Sequence, residues 1–560
     1  MLIFYYTLIM TIYGDKIFKN PVKILCAFTS SEVKTAFDEI ERLRKKYFLV
    51  GYCRYEMKNI FSDENFSYPL PLLYFEVFEE FEKFSPEPAE EIKINPVPTI
   101  DFEEYDSAIN KIKEEIANGN TYEVNYTTDF NVEYHGSELA LYNSLLERQK
   151  TPFNAFFKNE FDTILSFSPE LFFEIENGKI LTRPMKGTIA RGKTKEEDLT
   201  NIEFLKNDIK NRAENVMIVD LLRNDLGRIA KTGSVKVKKL FSIETHKTLH
   251  QMTSEITAEL NEDTSLYEVF KSIFPCGSIT GAPKISTMKI IDKIEKGKRN
   301  VYCGAIGILS PEKCVFSVPI RILQRQKDEK VFKYRAGGAI VWDSLAKDEW
   351  EEVFTKMKFL QPDFNLIETM LVKNGKILFE KEHFERLSKS AKTLGFPVPK
   401  IFFDNTEKVQ LSQKINNGIL RVLYSKKGEF EFELKELKPN SNNKIIFSET
   451  PVNSKNIFLY HKTNFKPWFE KAYEKIRNNE VFDVIFYNEN NEITEGARSN
   501  IIIEKNGKLF TPPIKCGRLD GIYLKNMKNI EEKILFKSDL ENADRIFCVN
   551  SVRGCVEVRF

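Results

Sequence analysis

The spacing of apolar and polar residues predicts a mixed α/β fold for the first 360 residues. Apolar positions recur every three to four residues in some segments, as in amphipathic helices, and they alternate in others, as in half-buried strands. Trp350, Val353, Phe354 and Met357 fall at i, i+3, i+4 and i+7 and so form one apolar helical face. The predicted helices are 102–118, 202–222 and 347–359, and the predicted strands lie at 122–126, 153–175 and 301–341.

Two segments of the first region have weaker apolar and polar patterns. Residues 1–13 are apolar and predict a first strand, or a few extra residues before a start at Met10. The segment lacks a basic region and a small-residue cleavage site, so a signal peptide is disfavoured. The Pro- and Glu-rich stretch 85–98 predicts a surface loop.

A second unit is predicted to begin at Gln361, which gives domains at 1–360 and 361–560. Its pattern predicts strands at 366–372 and 377–379, joined by the turn Lys373-Asn-Gly-Lys376. A helix is predicted over 381–394. Another helix is expected after Gly395-Phe-Pro397, followed by alternating strands to the C-terminus.

Composition narrows the class of protein. The 560 residues are 42% apolar and 29% charged, typical of a folded soluble protein of three to four domain equivalents. Lys and Arg number 83 against 82 Asp and Glu, with no basic tail, so nucleic acid and anionic membranes are not expected partners. No apolar stretch is long enough to span a bilayer. Eight scattered cysteines without a CxxC pair predict reduced thiols in a cytoplasmic protein, with neither disulfides nor a zinc site.

Several carboxylates occupy unusual positions for surface charges. Glu349 and Glu352 lie three residues apart on one helix, and Glu214 directly precedes an apolar run. Carboxylates so placed repel one another unless they are solvated or bind a cation such as Mg²⁺, which prefers oxygen ligands. A solvated helix face is the ordinary interpretation of such a pair.

Two loops and one lysine add candidate chemistry. The loop 277–284 enters a helix, with Pro283 suited to the first helical position, and Gly337-Gly338 permits close backbone approach to a ligand. Lys186 lies between Pro184 and Gly187 in an extended segment. Such a lysine is usually a surface charge, but in a pocket it can be a nucleophile.

Together these segments resemble the chorismate-binding enzymes. The motifs appear in order over roughly residues 50–360 as SPELF, RPMKGT, AENVMIVDLLRND, FPCGSITGAPK, SVPIR and EWEE. The resemblance implies a large α/β sandwich that binds chorismate with Mg²⁺. It implies that Glu214 and Glu352 bind the metal, with Glu349 beside them. The substrate-binding residues that it implies are His250, Thr280, Lys284, Tyr302, Arg321, Gly337 and Gly338.

Position 186 separates the reactions within this family. Anthranilate and isochorismate synthases typically have Ala there, whereas aminodeoxychorismate synthase component I has a lysine in PIKGT. The resemblance therefore implies that Lys186 attacks C2 of chorismate as the C4 hydroxyl leaves, with Glu170 as general acid. Ammonia then attacks C4 and expels the lysine, which divides one difficult substitution into two easier steps.

The last 200 residues contain what a pyridoxal phosphate enzyme needs: a lysine, an acid for the pyridinium nitrogen and a phosphate cradle. With the segments 368–369, 511–513, 517–521 and 550–554 they resemble fold-type IV enzymes, which are class IV aminotransferases and aminodeoxychorismate lyase. The resemblance implies a two-lobed domain in which Lys462 is the Schiff-base lysine and Glu495 the pyridinium partner. It assigns the phosphate to Arg386, Gly521 and Ile522, and a substrate carboxylate to Arg553.

The two resemblances together imply a bifunctional, cytoplasmic enzyme that makes 4-aminobenzoate for folate. The alternatives are a C-terminal branched-chain or D-amino acid aminotransferase, an anthranilate synthase-like first domain, or one module that only binds. No Gly-x-Cys-x-Gly glutaminase motif is present, so ammonia is expected from a separate glutamine amidotransferase subunit, or free at high concentration. The sequence is compatible with a homodimer.

Overall fold

The computed structural model describes residues 10–87, 92, 94–192, 194–245, 249–360, 364–402, 416–439 and 442–560. The chain divides into two compact units, Met1–Gln361 and Pro362–Phe560. The helix expected after Pro397 falls largely on residues outside this description. Among the described helices, none is both long and apolar enough to cross a bilayer.

Antiparallel strands dominate the first unit. In chain order they are β1 Met10–Tyr13, β2 Lys16–Lys19, β3 Lys23–Ala27, β4 Phe48–Cys53, β5 Leu73–Phe78, β6 Glu82–Lys83, β7 Pro96–Pro98, β8 Glu123–Val132, β9 Phe153–Lys158, β10 Asp162–Ser168, β11 Leu171–Glu176, β12 Lys179–Arg183, β13 Met185–Ala190, β14 Lys236–Thr245, β15 Leu249–Glu259, β16 Gly281–Ala282, β17 Ala305–Leu309, β18 Lys313–Ser317, β19 Ile322–Gln326 and β20 Phe332–Ile340. The helices are α1 Ser30–Leu43, α2 Phe102–Ala117, α3 Glu138–Arg148, α4 Lys195–Asn207, α5 Ile209–Gly227, α6 Leu266–Ile273, α7 Lys284–Ile294 and α8 Ala346–Lys356.

These strands form two sheets. One has the order β16-β8-β20-β19-β10-β9-β1-β2-β6, with β7 also paired to β8. The other has the order β13-β15-β12-β11-β18-β17-β4-β5-β3, with β14 also paired to β15. The largest apolar core combines side chains from both sheets, such as Phe157 and Ile164 with Tyr52 and Phe75. Packing of the two apolar faces therefore produces the expected α/β sandwich.

One predicted helix is in fact two. The stretch predicted as a helix at 202–222 is divided between α4 and α5 by Asp208, which has an extended conformation. The Asp208 side chain accepts a hydrogen bond from the backbone N–H of Asn211, so it begins a new helix as an N-cap. The start of another helix also differs from the prediction: α7 begins at Lys284, with Pro283 as its N-cap residue, one position later than predicted.

The second unit has the two predicted lobes. Its strands are β21 Leu366–Lys373, β22 Lys376–Ile377, β23 Asn417–Tyr424, β24 Phe430–Lys435, β25 Ile445–Phe447, β26 Asp483–Tyr487, β27 Ile493–Gly496, β28 Asn500–Lys505, β29 Lys508–Thr511, β30 Ile530–Glu532, β31 Arg545–Asn550 and β32 Gly554–Val558. The helices are α9 Glu380–Leu394, α10 Glu470–Arg477, α11 Ile522–Lys525 and α12 Lys537–Glu541.

In the first lobe α9 packs on the sheet β22-β21-β23-β24, and Leu387 of the helix contacts the same core as Leu420 of the sheet. The second lobe contains the sheets β25-β26-β27 and β30-β29-β28-β31-β32. The predicted strand 377–379 is shorter than expected and ends at Ile377, because Phe379 has a φ of +55° and is the N-cap residue of α9.

Candidate active sites

Four segments of the first unit meet around Lys186. Lys186 lies on β13, Glu123 on β8, and Glu170 in the turn between β10 and β11. Ser278 comes from the loop before β16, and β16 pairs with β8 so that Ala282 lies opposite Glu123. The pairing of β16 with β8 therefore places the loop 277–280 beside Glu123, and Ser278 of this loop reaches Glu170.

The Lys186 ammonium is enclosed by carboxylates. Its Nζ donates to Glu123 Oε1 at 2.9 Å, and the two side chains are 9% and 0% exposed. Burial alone would lower the pKa of Lys186, but the charges of Glu123, Glu214 and Glu170 outweigh burial and raise it. The lysine is therefore an ammonium in this state and must lose a proton before it can act as a nucleophile.

Glu170 is suited to donate a proton near neutral pH. It is buried, and Ser278 Oγ lies 2.5 Å from its Oε1. Burial raises the pKa of Glu170 to about 7, although the Ser278 hydroxyl and the Lys186 charge act in the opposite direction. A carboxyl group with this pKa is half protonated at neutral pH, as a general acid requires.

Glu349 and Glu352 on α8 flank Gly338 of β20. A Cβ placed on Gly338 would lie 3.0 Å from Glu349 Oε2 and 3.9 Å from Glu352 Oε1, so the glycine keeps the space between them open. Lys356 Nζ lies 2.7 Å from Glu352 Oε1 and donates to Gly337 O at 2.6 Å. Burial raises the pKa of Glu349, and the neighbouring charge of Glu352 adds to the effect.

Glu214 on α5 is a second carboxyl group whose pKa is raised. Burial raises its pKa, and the charges of Glu123 and Glu349 contribute in the same direction. Within the described part of the chain, however, no three metal-ligating side chains come close enough to form a complete metal cluster. Glu349 nevertheless experiences the negative charge of Glu352, and Glu214 that of Glu349, whereas Lys356 and other nearby lysines lower the pKa of Glu352. A divalent cation would stabilise carboxylates that repel one another in this way.

Three of the predicted substrate-binding residues have side-chain partners within the chain. His250 Nδ1 and Nε2 lie 2.9 Å from Thr245 Oγ1 and Asp198 Oδ1. Lys284 Nζ donates to Asp225 Oδ2 at 2.5 Å, and Thr280 Oγ1 donates to Cys276 O at 3.2 Å.

The predicted substrate-binding set also includes the side chains of Tyr302 and Arg321. Tyr302 is buried, which raises the pKa of its hydroxyl. Burial lowers the pKa of the Arg321 guanidinium, and no described residue forms a hydrogen bond or ion pair with it. Arg321 is therefore a half-buried cation available to an anionic ligand.

The second unit contains a cavity of about 490 Å³. Six cationic side chains and one carboxylate, Glu495, line it, together with Thr369, Tyr473, Asn500, Tyr523 and other residues. The cationic residues are Arg386, Arg421, Lys462, Lys466, Arg498 and Arg553. Such an excess of positive charge favours a ligand with several negative charges.

Lys462 loses its proton more readily than an ordinary lysine. Burial lowers its pKa to about 8; Glu368 opposes this, while Arg386, Lys466 and Arg421 add to it. None of the described residues accepts a hydrogen bond from its amine. The nitrogen is therefore free to react with a carbonyl compound in the cavity.

Glu495 is held in place by two donors. Asn500 Nδ2 and the backbone N–H of Leu519 both donate to its Oε2 at 3.1 Å. Burial raises the pKa of Glu495 to about 7, although the Lys466 charge opposes the shift. A cationic ring nitrogen placed here would lower that pKa and keep the carboxylate ionised.

The predicted phosphate residues also face the cavity. Arg386 forms a two-point pair with Glu368, from Nε to Oε1 at 2.9 Å and from Nη2 to Oε2 at 2.6 Å, and its Nη1 donates to Asp520 O. A Cβ on Gly521 would overlap Asn500 Oδ1, so only glycine permits this approach. Ile522 begins α11 directly after Gly521.

Arg553 lies near Arg498. Burial and the Arg498 charge lower its pKa, and its Nη1 donates to Lys438 O at 3.3 Å.

Three residues in these sites were not predicted from the sequence. Glu123 is in the predicted strand 122–126, where a carboxylate on a mostly apolar strand was the available signal. Ser278 is in the predicted anion-binding loop but was not singled out. Lys466 is buried in the cavity four residues after Lys462, and burial lowers its pKa. No sequence pattern distinguished it from a surface lysine.

Comparison with known proteins agrees with the two-unit division. Residues 10–362 match the model of the chorismate binding enzymes, and residues 365–559 match that of amino-transferase class IV. The chain is 41% identical to aminodeoxychorismate synthase component 1 of Salmonella typhimurium over 46% of the chain and 57% of the relative. It is 36% identical to anthranilate synthase component 1 of Aquifex aeolicus, over 48% of the chain and 54% of the relative.

The chain thus spans somewhat more than half the length of these curated relatives. The crystal structure of anthranilate synthase component I from Streptococcus pneumoniae shares the fold, with a TM-score of 0.55 and 23% identity over 65% of this chain and 94% of that chain. The chain therefore belongs to the chorismate binding enzymes, and a class IV amino-transferase domain follows in the same polypeptide.

Proposed function

We propose that this chain converts chorismate into 4-aminobenzoate in two steps, one in residues 1–360 and one in residues 361–560. The observation that carries the first activity is Lys186, an enclosed lysine between Glu123 and Glu170. Relatives named aminodeoxychorismate synthase component 1 support the same assignment.

In the first step Lys186 attacks C2 of chorismate, and Glu170 protonates the departing C4 hydroxyl. The pKa of about 7 for Glu170 supports this role, because the acid form is present at neutral pH. Ammonia then attacks C4 and displaces the lysine, giving 4-amino-4-deoxychorismate. Dividing the substitution in this way replaces one high barrier with two lower ones.

Glu214, Glu349 and Glu352 would hold Mg²⁺ in this site. Their mutual repulsion and the open space at Gly338 support a bound cation. When bound, Mg²⁺ neutralises a substrate carboxylate. Arg321 would bind a carboxylate of chorismate, because its guanidinium is half-buried without a described partner. Tyr302, Thr280, Lys284, His250 and the backbone at Gly337-Gly338 complete the substrate site.

The second site fits pyridoxal phosphate. Lys462 would bind it covalently, Glu495 would accept a hydrogen bond from the ring nitrogen, and Arg386 with the amides at Gly521 and Ile522 would hold the phosphate. When bound, the cofactor withdraws electrons from the substrate carbon that carries the amine. Lys462 then removes the proton from C4, and loss of pyruvate from C3 leaves an aromatic ring. The excess of cations lining the cavity suits a substrate with two carboxylates, one of them near Arg553.

A C-terminal amino acid aminotransferase is the second candidate, because the class IV family match covers both activities. The cofactor residues alone do not separate the two, since both reactions begin with removal of a proton by the lysine. The lyase is preferred because the product of the first site is a substrate for the second. Ammonia would come from a glutamine amidotransferase subunit, in a cytoplasmic enzyme of folate biosynthesis.

The experiment supplies the purified chain with chorismate, Mg²⁺, ammonium and pyridoxal phosphate, and measures 4-aminobenzoate and pyruvate. Equal amounts of both products support the proposal. Persistent aminodeoxychorismate with intact protein would exclude the lyase activity, and anthranilate as product would exclude the assigned role of Lys186. Exchange of amino groups between an amino acid and a keto acid, without pyruvate from the intermediate, would favour the aminotransferase.

A further inference from the structure

Resting on the proposed function, we infer a specific catalytic role for Glu123: it takes a proton from Lys186 before the amine attacks chorismate, and returns it when the amine leaves. Glu123 contacts the reacting nitrogen directly, since Lys186 Nζ lies 2.9 Å from Glu123 Oε1. This separation is within the range that proton transfer requires. Because the lysine is an ammonium in this state, some group has to accept its proton before it can form a bond.

The hydrogen bonds of Glu123 differ from those of a structural carboxylate in the same unit. Glu295 is also buried, and it accepts four bonds, from the backbone N–H and hydroxyl of Thr127 and from two nitrogens of Arg299. Glu123 accepts bonds from Lys186 and from Asn125 Nδ2 on Oε1 alone. Its Oε2 is buried, and no described donor reaches it. A buried oxygen without a partner costs free energy, and a role in proton transfer would explain why this one is retained.

The other charged groups around Lys186 are less suited to accept the proton. Glu170 and Glu214 interact with it electrostatically, and so does Glu352, but none of them forms an ion pair with its amine among the described contacts. Glu170 has to begin the reaction protonated. Glu214 and Glu352, with neighbouring Glu349, are the proposed metal ligands. Around this carboxylate group Lys210 and Lys356 supply further positive charge.

The proton balance closes with Glu123 in this role. Lys186 passes a proton to Glu123, its amine bonds to C2 as the ring double bonds shift, and the C4–oxygen bond breaks with the proton of Glu170 leaving in water. Ammonia bonds to C4, the C2–nitrogen bond breaks, and its electron pair returns to Lys186. The new C4 ammonium gives a proton to Glu170, and Glu123 returns its proton to Lys186. The net reaction consumes chorismate and ammonia and yields aminodeoxychorismate and water.

The test is Glu123→Gln, which keeps the shape of the side chain but cannot take up this proton. The amination rate, as kcat/KM with saturating ammonium, is measured for both proteins from about pH 6 to about pH 9. In the wild type, the charged pair (Lys186 ammonium and Glu123 carboxylate) and the neutral pair (Lys186 amine and Glu123 carboxylic acid) contain the same number of protons. Their ratio therefore does not depend on pH. In the variant Lys186 has to lose its proton to water. We expect the variant to be about 10²- to 10⁴-fold slower than the wild type near neutral pH. This deficit in rate should shrink about tenfold for each unit by which the pH rises.

Comparing the variant with the wild type at each pH cancels the titration of Glu170, which both proteins share. A deficit that stays constant with pH would overturn the proton-transfer role and indicate only a structural effect. An undiminished rate would overturn it as well. Glu123→Asp retains a carboxylate and should recover part of the rate with no pH-dependent deficit. Glu174→Gln is the matched control, because Glu174 forms a half-exposed pair with Lys313 at 2.7 Å outside the site.

A second readout does not require turnover. Labelling of Lys186 by an amine-specific reagent, quantified by mass spectrometry as a function of pH, reports the pKa of its amine. Removing the Glu123 charge should lower that pKa, so labelling of the variant should begin at lower pH. Unchanged labelling would contradict the ion pair. A wild-type protein that forms no aminodeoxychorismate would overturn the proposed function itself, whether or not the labelling shifts.

Discussion

Lys186 and Lys462 are both enclosed lysines with proposed catalytic roles, but the balance of burial and neighbouring charge differs between them. Lys186 faces Glu123, Glu170 and Glu214, whose combined effect raises its pKa despite burial. Lys462 lies in a cavity rich in cations, and burial together with Arg386, Lys466 and Arg421 lowers its pKa to about 8. Burial is the largest effect at both lysines; carboxylates outweigh it at Lys186, whereas at Lys462 Glu368 opposes it only in part and three cations add to it.

The difference has a chemical consequence. A lysine held as an ammonium needs a proton acceptor in contact with it, and Lys186 has one in Glu123. A lysine with a pKa near 8 supplies free amine at physiological pH without a partner, as covalent attachment of a carbonyl cofactor requires. The two sites thus activate the same side chain by different means.

Lys186→Ala removes the nucleophile of the first site and should have the largest effect. We expect formation of aminodeoxychorismate to fall by a factor on the order of 10⁴ to 10⁶, as when other enzymes lose a nucleophile. The measurement is product formation from chorismate and ammonium. Lys179→Ala, an exposed lysine on β12, is the control. A residual rate near that of the wild type would show that the amine does not bond to the substrate.

Lys462→Ala removes the proton-transfer group of the second site. We expect 4-aminobenzoate to decline by a factor on the order of 10³ to 10⁴, while aminodeoxychorismate accumulates at the normal rate. The variant should also fail to retain pyridoxal phosphate after borohydride reduction, which peptide mass spectrometry detects. Lys471→Ala on α10 should behave like the wild type. Aromatic product at an unchanged rate would show that another group performs the elimination.

Glu170→Gln tests the acid of the first site. Because the pKa of Glu170 is about 7, its acid form predominates below pH 7, and kcat/KM for amination should decrease about tenfold per pH unit above it. The variant should be about a hundredfold slower at pH 6, and its profile should lack this decline. A variant that keeps the decline would assign the titration to another group.

Lys466→Met should have the smallest effect. The Lys466 charge contributes to lowering the pKa of Lys462, so its removal should raise that pKa above about 8. At a fixed pH just below 8 a smaller fraction of Lys462 is then neutral, and covalent attachment of pyridoxal phosphate should slow by a few fold. Lys466→Arg keeps the charge and should behave like the wild type. Faster attachment in the methionine variant would contradict the charge effect.

Local patterns predicted much of the secondary structure. The helices α2, α8 and α9 begin and end within a few residues of the predicted positions, because their apolar spacing continues into the buried face. The division of 202–222 into α4 and α5 was not predicted, because the apolar spacing gives no sign of it. The available signal was Asp208, whose residue type favours the N-cap position and whose side chain caps α5.

The candidate sites were predicted only as sets of residues. The motifs around Glu170, Lys186, Glu214 and Glu352, and those around Lys462 and Glu495, identified the chemistry through resemblance to known families. They did not predict that Glu123 would pair with a lysine 63 positions later in the chain. Nor did they predict that His250 and Lys284 would bond to Asp198 and Asp225.

The amino-acid sequence by itself determined the mixed α/β class, most helices and strands, and the residue types available for catalysis, because these follow from local spacing and short motifs. Only the tertiary structure decided the charge environment of each lysine. The packing of the two sheets places β8 and β13 in one site, where Lys186 meets Glu123, and the lobes of the second unit line a cavity with six basic side chains. Electrostatic energies depend on distances of a few ångströms between residues far apart in the chain, which no local pattern specifies.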